Sequence, residues 1–381
     1  MSHIDDLLTE FAPQGVRHTS LSEVAGYSFT RVDASELDKT SFVGVDNLVA
    51  NKGGRVDASY LPNTVRLAAY EVGDILLGNI RPYLKKVWHA TSVGGCSGDV
   101  LAIRINADAR DELDSKFLYY VLSSDRFFTY NMQHAKGAKM PRGDKAAILK
   151  YRIPVPPLEV QREIVRILDQ FTELEAELEA ELEARKRQYA HYRNELLAIG
   201  NEAPQVFLGD IATIGTGSHD TKDALPDGEF VFYARGREQL RLDSFDFDER
   251  AIITAGDGVG VGKVFHFAEG KYALHQRAYR IVPHDSVDAR FIYHYLVADF
   301  ARYLAQTSVQ SSVTSLRRPM FLKYPIALPS LAEQHRIASA LDEFDALVND
   351  MSVGLPAEIA ARRKQYEYYR DKLLTFEEAT P

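Results

Sequence analysis

The sequence predicts an α+β chain with a pseudo-twofold internal repeat: two globular α/β bodies, each followed by a long coiled-coil helix. Three observations predict it. A helix opening recurs, as PPLEVQREIVRILDQF at residues 156–171 and PSLAEQHRIASALDEF at residues 329–344. In that register Tyr151, Ile153, Pro156, Leu158, Gln161, Ile164, Leu168, Asp169 and Phe171 meet Tyr324, Ile326, Pro329, Leu331, Gln334, Ile337, Leu341, Asp342 and Phe344. A helix ending also recurs, RKRQYAHYRNELL (185–197) against RRKQYEYYRDKLL (362–374). A fainter echo runs through the bodies: DSKFLYYVL (114–122) against DARFIYHYL (288–296), SLSEVA (20–25) against FLGDIA (207–212), and GDILLG (73–78) where GDGVGV (256–261) falls. Helix propensity explains recurring leucines but not proline, glutamine and Tyr-Arg recurring in order. Two copies are a duplication, not a solenoid.

Each element follows in chain order. Residues 1–15 form an N-terminal helical segment expected to pack with the repeat helices. Leu7 and Leu8 precede the first body as Leu196 and Leu197 precede the second, and Leu373 and Leu374 close the chain, so the segment is expected to complete the end of the second helix and make the repeat circular in space, the alternative being a frayed amphipathic helix. Residues 16–152 make the first body, with short β-like runs (VLAIRI), glycine turns and a tyrosine-rich helix. Residues 153–200 are the first spacer helix. There Ile164, Leu168, Phe171, Leu178, Leu182, Tyr189, Tyr192 and Leu196 step by alternating fours and threes, with Glu175 and Arg185 at skipped positions, which is the seam of a coiled coil. LEAELEAELEA alternates like a strand, but Ala, Glu and Leu favour helix. Residues 201–325 are the second body and 326–381 the second spacer helix, which Ser330 and Glu333 open as a capping box. Four extra residues near MSVGLPAE (351–358), with Gly354 and Pro356, predict a break there.

Of the 381 residues, 45% are hydrophobic and 26% charged, an ordinary globular composition. No apolar run reaches the roughly 18–20 residues of a membrane span, so no membrane partner is expected. MSHIDDLLTEF carries no basic segment before an apolar block, so no secretory signal is expected. One cysteine, Cys96, excludes an intramolecular disulfide and fits a reducing, cytoplasmic compartment. The net charge of −9 averages unlike regions: glutamate fills alternate positions from Glu173 to Glu183, whereas HAKGAKMPRGDKAAILKYR (134–152) is basic.

Catalytic constellations are missing. Gly258, Gly260 and Gly262 before Lys263 imitate a phosphate loop, but Asp257 and Val264 stand where a glycine and a hydroxyl are required, so they read as a turn between strands. No HExxH, CxxC or GxSxG occurs, nor the Asn/Asp-Pro-Pro-Phe/Tyr motif of amino-methyltransferases. Asp246 with Asp248, and Asp342 with Glu343, read as solvated charge, and His275 as a structural histidine. No metal ligand set and no cofactor motif is expected. The bodies offer cations instead: Arg81, Lys85, Lys86, then Lys136, Lys139, Arg142 and Lys145 in the first; Arg235, Arg237, Arg277, then Arg317 and Arg318 in the second. Lysine and arginine neutralise phosphates, and arginine reads guanine bidentately. A basic segment stands just before each long helix.

These motifs, in the order body, helix, body, helix over essentially the whole chain, resemble the specificity subunits of type I restriction–modification systems. The resemblance implies two target recognition domains separated by two long antiparallel coiled-coil helices, each domain reading one half of a bipartite double-stranded DNA target. It implies that the paired helices set the spacing and dock two DNA methyltransferase subunits, with Leu158, Gln161, Ile164, Leu168, Phe171, Tyr189, Tyr192, Leu331, Gln334, Ile337, Leu341, Phe344, Tyr366 and Tyr369 on the helices concerned. Motor–endonuclease subunits complete the full complex, and the chain itself is non-catalytic. S-adenosylmethionine, ATP and Mg2+ would serve the partner subunits. One departure stands out: the family's Pro-Leu-x-Glu-Gln opening is met by Leu331, Glu333 and Gln334, but Val160 replaces the glutamate in the first copy. Two other readings remain, a structural coiled-coil adaptor without DNA reading and a stand-alone DNA methyltransferase.

Overall fold

The computed structural model describes residues 2–198, 203–307, 315–349 and 354–379. The chain divides into two compact units, Met1–Glu177 with Ala360–Pro381, and Leu178–Ile359. Each unit therefore joins one body to part of each repeat helix.

In the first unit, strand Arg17–Ser20 pairs antiparallel with Arg152–Val155. A four-stranded sheet follows in the order Ala25–Tyr27, Val100–Ile105, Ile75–Gly78, Val87–His89, and a second in the order Arg31–Asp33, Arg66–Tyr70, Gly94–Cys96, Phe42–Val43. Strand Ile75–Gly78 is buried at every position, which fits the continuous apolar run ILLG in the middle of a sheet. Helices Ser115–Leu122 and Asp125–His134 cover that core with Phe117, Leu118, Phe127 and Phe128.

The second unit repeats the plan. Strand Gln205–Phe207 pairs with Pro325–Ala327, and a six-stranded sheet runs Ala212–Thr216, Ala278–Pro283, Phe247–Ala255, Phe265–Leu274, Phe230–Tyr233, Leu240–Leu242. Ala25 faces Ile105 and Ile75 faces Ile103 in the first unit, as Ala212 faces Pro283 and Ile252 faces Ile281 in the second. This matching corrects one sequence alignment. GDILLG is equivalent not to GDGVGV but to the strand before it, so that Gly78 corresponds to Ala255 and the glycine run 256–262 is the following turn, between Phe247–Ala255 and Phe265–Leu274. The shared Gly-Asp dipeptide misled because glycine and aspartate favour turns wherever turns occur.

The LEAELEA run is helical: Leu158–Leu197 is one helix of 40 residues. In the first unit Phe171 stacks on Tyr369 at 5.8 Å and touches Tyr366 at 6.1 Å, while Glu175, a skipped seam position, pairs with Arg363. Ascending 171 to 175 against descending 369 to 363 makes this pair of helices antiparallel. In the second unit Phe344 stacks on Tyr192 at 5.6 Å and on Tyr189 at 6.5 Å. Both repeated phenylalanines thus meet the repeated Tyr-x-x-Tyr of the other copy. The second spacer is split into helices Leu331–Asn349 and Gly354–Leu373; residues 350–353 of the expected break lie outside the described residues. Gly354 has φ +77°, and a Cβ there would stand 2.6 Å from the Leu347 carbonyl oxygen. Pro356 is tolerated because it falls in a first turn.

Two expectations about helix starts need refinement. Ser330 Oγ accepts the Glu333 N–H at 3.4 Å, but the Glu333 carboxylate turns to Arg336 at 2.7 Å and so does not close a capping box. At the chain's beginning, helix Ser2–Phe11 places Ile4, Leu7 and Leu8 in the core shared with Val160, Ile164, Leu168, Leu373 and Leu374. The chain ends meet there: the Val16 N–H donates to the Glu377 carbonyl and the Ala379 N–H to the Val16 carbonyl.

Body and helix are locked by a buried amide. Gln161 Oε1 accepts the N–H of Asp114, and its Nε2 donates to the carbonyls of Pro156 and Glu112, at 2.6–2.8 Å. Gln334 does the same with the Asp288 N–H at 2.9 Å and the Pro329 carbonyl at 2.8 Å. Gln161→Ala should cost about 2–3 kcal/mol by stranding buried backbone groups, seen as a lowered urea midpoint. Gln161→Glu, which would bury a carboxylate against the Pro156 and Glu112 carbonyls, should lower it further at neutral pH.

Candidate nucleic-acid interface

In each body, the turn after the central strand is hydrogen-bonded to the segment that precedes the repeat helix. In the first, the Asn79 N–H donates to the Asp99 carbonyl at 2.8 Å, the Gly143 N–H to the Asn79 carbonyl at 2.9 Å, and the Arg81 N–H to the Pro141 carbonyl at 2.7 Å. Ile80 bridges to Arg142 and Arg142 to Lys136. In the second, the Gly256 N–H donates to the Arg277 carbonyl at 2.8 Å, the Leu316 N–H to the Gly256 carbonyl at 2.7 Å, and Asp257 bridges to Ser315. The fold therefore joins the two basic segments that the sequence kept apart: residues 81–86 with 136–145, and residues 235 and 277 with 315–318.

The side chains divide into two groups. Some cations are held inside their own body. Lys85 reaches Asp125 at 2.8 Å, Lys86 donates to the Val45 carbonyl at 2.7 Å, Lys136 pairs with Asp144 at 2.6 Å and Arg142 with Asp99 at 2.9 Å. Arg235 and Arg277 share Asp257, at 2.8 and 3.1 Å. Their hydrogen bonds hold the Asp257 carboxyl below its ordinary value. Others, Lys139, Lys145, Arg237, Arg317 and Arg318, are exposed and have no ion-pair partner among the described residues. Arg81 is half-buried.

Sequence reading missed the acidic partners and Lys52. Asn51, Lys52, Arg81 and Lys85 are the non-glycine residues with positive φ among the described residues, between 50° and 64°. They are cross-braced: the Asn51 N–H donates to the Leu84 carbonyl and the Lys52 N–H to the Lys85 carbonyl. Lys52 Nζ joins Lys85 on Asp125 at 3.1 Å, and Arg370, fully buried on the second spacer helix, approaches the same carboxylate at 3.5 Å. No local pattern announces such a hub, because its members lie far apart in sequence.

The helix candidates differ in burial. Ile164, Leu168, Ile337 and Leu341 are buried, as are Gln161 and Gln334, while Leu158 is half-buried and Leu331 exposed. Asp342 is not solvated charge: it accepts from Arg290 and from His294 Nε2 at 2.6 Å, as Asp169 accepts from Lys116 and Tyr120 at 2.6 Å. Burial alone would raise the Asp342 carboxyl, but His294 and Arg290 hold it below its ordinary value. Asp246 likewise accepts the Leu274 N–H at 2.8 Å and meets His219 at 3.1 Å. His275 is a structural histidine: it is buried and its Nδ1 accepts the Arg277 N–H at 2.9 Å. Burial, then the charge of Arg235, lowers its pKa. No described helix is long and apolar enough to cross a membrane.

Comparison with known proteins places these features in context. A family model for the type I restriction modification DNA specificity domain matches residues 100–184 and 202–361. A Haemophilus influenzae protein assigned as the type I restriction enzyme specificity subunit S.HindORF215P is 30% identical over 298 residues, 71% of this chain and 74% of that protein. The Escherichia coli type I restriction enzyme EcoR124I/EcoR124II specificity subunit is 34% identical over 257 residues, 59% of this chain and 63% of its own length. In fold, the chain is similar to one from a study of complex assembly in a type I R-M system, with a TM-score of 0.65, 18% identity and coverage of 96% and 98%. The crystal structure of the type I S subunit from M. genitalium gives a TM-score of 0.59 at 15% identity, covering 94% of this chain and 96% of that one.

The Asp125 hub makes acid stability predictable. Burial would raise its carboxyl, but hydrogen bonds from Lys85 and Lys52 and the charge of Arg370 hold it at about 2, below the ordinary 3.8. Folding therefore favours the carboxylate: the contribution is complete above the unfolded value and is lost as pH falls toward the folded one. The thermal midpoint of Asp125→Asn should lie below that of the wild type at neutral pH, with the gap closing between about pH 4 and 2. Circular dichroism melts across that range check it.

Proposed function

The chain belongs to the type I restriction–modification DNA specificity family, and from that premise we propose that it is the DNA sequence-specificity subunit of a type I restriction–modification complex. Each body reads one half of a bipartite double-stranded DNA target, and the paired helices set the distance between half-sites. One observation carries this reading. Both bodies, though their surface sequences differ, build the same turn-and-segment junction after the central strand and load it with basic side chains. An adaptor without DNA reading has no use for that repeated arrangement.

Exposed Lys139, Lys145, Arg237, Arg317 and Arg318 would meet phosphates. Arg81, Arg235 and Arg277, oriented by backbone or by Asp257, would face bases or the backbone at fixed positions. Lys85, Lys86, Lys136 and Arg142 would shape the loops that present them. The chain would be non-catalytic, with two methyltransferase subunits docked on the helices through the repeated openings and tails. Motor–endonuclease subunits would join that assembly. S-adenosylmethionine, ATP and Mg2+ would be used by those partners, in the cytoplasm where the DNA lies.

Co-expression with a cognate methyltransferase, followed by base-resolution mapping of methylated adenines, should yield a two-part motif. Methylation by the isolated chain would favour the enzyme reading, and no sequence preference would favour the adaptor. Deleting four residues within 172–184 should change the spacing between half-sites and leave their sequences alone; altered half-sites would defeat the ruler.

Charge reversal at Lys139 and Lys145 should weaken binding of the assembled complex about equally for all sequences and flatten its salt dependence by about one to two units of log K per log salt. Fluorescence anisotropy between 50 and about 200 mM salt measures this. An unchanged slope would remove both residues from the interface.

A further inference from the structure

The turn Gly256–Val264 of the second body bears a side chain that its own fold does not use. Val259 is 99% exposed, although neighbouring Val261 and Val264 are buried. The turn is fixed on its inner side. A Cβ on Gly260 would stand 2.7 Å from the Arg235 carbonyl oxygen, the Thr254 hydroxyl donates to the Val264 carbonyl at 2.8 Å, and the Lys263 N–H donates to the Gly260 carbonyl at 3.0 Å. Its outer side is open: Gly258 has φ +82° and nothing within 4 Å of a Cβ built on it. A branched apolar side chain is thus held at the tip of a braced turn, in full contact with water. Two residues before it, Asp257 holds Arg235 and Arg277.

The first body builds the same turn with other chemistry. Gly78 corresponds to Ala255, so Arg81 stands where Gly258 does, and Pro82 and Tyr83 align with the tip. Tyr83 is 49% exposed. One frame carrying an arginine and a tyrosine in one body and a lone valine in the other fits an element that reads different bases in each half-site. An exposed apolar tip has one counterpart on a base edge, the 5-methyl group of thymine, which contacts apolar side chains in the major groove.

We propose that Val259 is a specificity-determining residue of the second body, and that it contacts the methyl group of a thymine in the half-site this body reads. The proposal rests on the DNA-reading function above. The test uses the intact methyltransferase complex on duplexes carrying its mapped motif, with each thymine of the second half-site replaced in turn by deoxyuridine, which lacks only the methyl. Loss of one buried methyl should weaken wild-type binding about fourfold at one position. Val259→Ser should bind the thymine duplex about as weakly and be indifferent to the replacement, while the first half-site sequence stays unchanged.

A second half-site without an A·T pair would overturn the proposal. So would wild-type binding indifferent to deoxyuridine at every position, or sensitivity that persists in Val259→Ser. Loss of affinity in Val259→Ser without any deoxyuridine effect would identify an apolar wedge between bases, and overturns methyl reading in favour of that. The absence of any bipartite motif would overturn the specificity-subunit reading itself, a distinct failure.

Discussion

The repeated buried glutamine is the interaction on which the architecture depends. A primary amide has two donors and an acceptor, and burial makes every unsatisfied one costly. Gln161 and Gln334 direct theirs to backbone groups alone: the N–H that begins an Asp-capped helix of the body, and the carbonyl of the proline that begins the spacer. Backbone partners do not vary with side-chain identity, so this joint survives any change in the reading surface. The repeated aspartates add the second point of attachment. Asp169 takes a lysine and a tyrosine, and Asp342 an arginine and a histidine. In each, one cation and one neutral-capable donor from the body meet the helix about two turns beyond the glutamine. Two anchors along a helix fix rotation as well as position, and the proposed role in setting the distance between half-sites would need both.

The same logic of fixed position governs charge. A chain of net charge −9 is an unpromising DNA binder by its average. Its carboxylates, however, are placed beside the cations of the junctions. Asp125 gathers Lys52, Lys85 and Arg370; Asp257 gathers Arg235 and Arg277; Asp99 and Asp144 hold Arg142 and Lys136. A paired guanidinium gives up part of its pull on phosphate and gains a fixed direction. On the proposed DNA-reading function, sequence-independent attraction would come from the exposed cations and discrimination from oriented ones, which is the division that base readout requires.

Much of the framework was legible in the sequence because it was written twice. Proline, glutamine, aspartate and Tyr-x-x-Tyr recurring in order located the helix openings and the seam, whereas the antiparallel pairing was implied only by the family resemblance; the structure stacks Phe171 on Tyr369 and Phe344 on Tyr192. The candidate interface was legible only as composition. Lys85 and Arg317 look equally free in a linear reading, yet one is bound to an aspartate forty residues away and the other is exposed. Long-range pairing has no local period, so no window of sequence reveals it. Gly-Asp failed as an alignment marker for the opposite reason: it reports a turn too faithfully to say which turn.

The departure at the first helix opening has a structural cause. Val160 and Glu333 occupy the same place in the two helix openings, but Val160 is fully buried in the cluster that holds Ile4, Leu7 and Leu8, whereas Glu333 is only half-buried and paired to Arg336. In the first unit Val16 is bonded on one side to Glu377 and on the other to Ala379. The N-terminal helix brings an extra apolar face to that unit alone. A glutamate in the first opening would have to be desolvated beside isoleucine and leucine, at a cost of several kcal/mol, or expel the helix. Valine at 160 therefore follows from the packing of helix Ser2–Phe11, and the two helix openings, otherwise matched at their anchoring residues, differ in chemistry at this position.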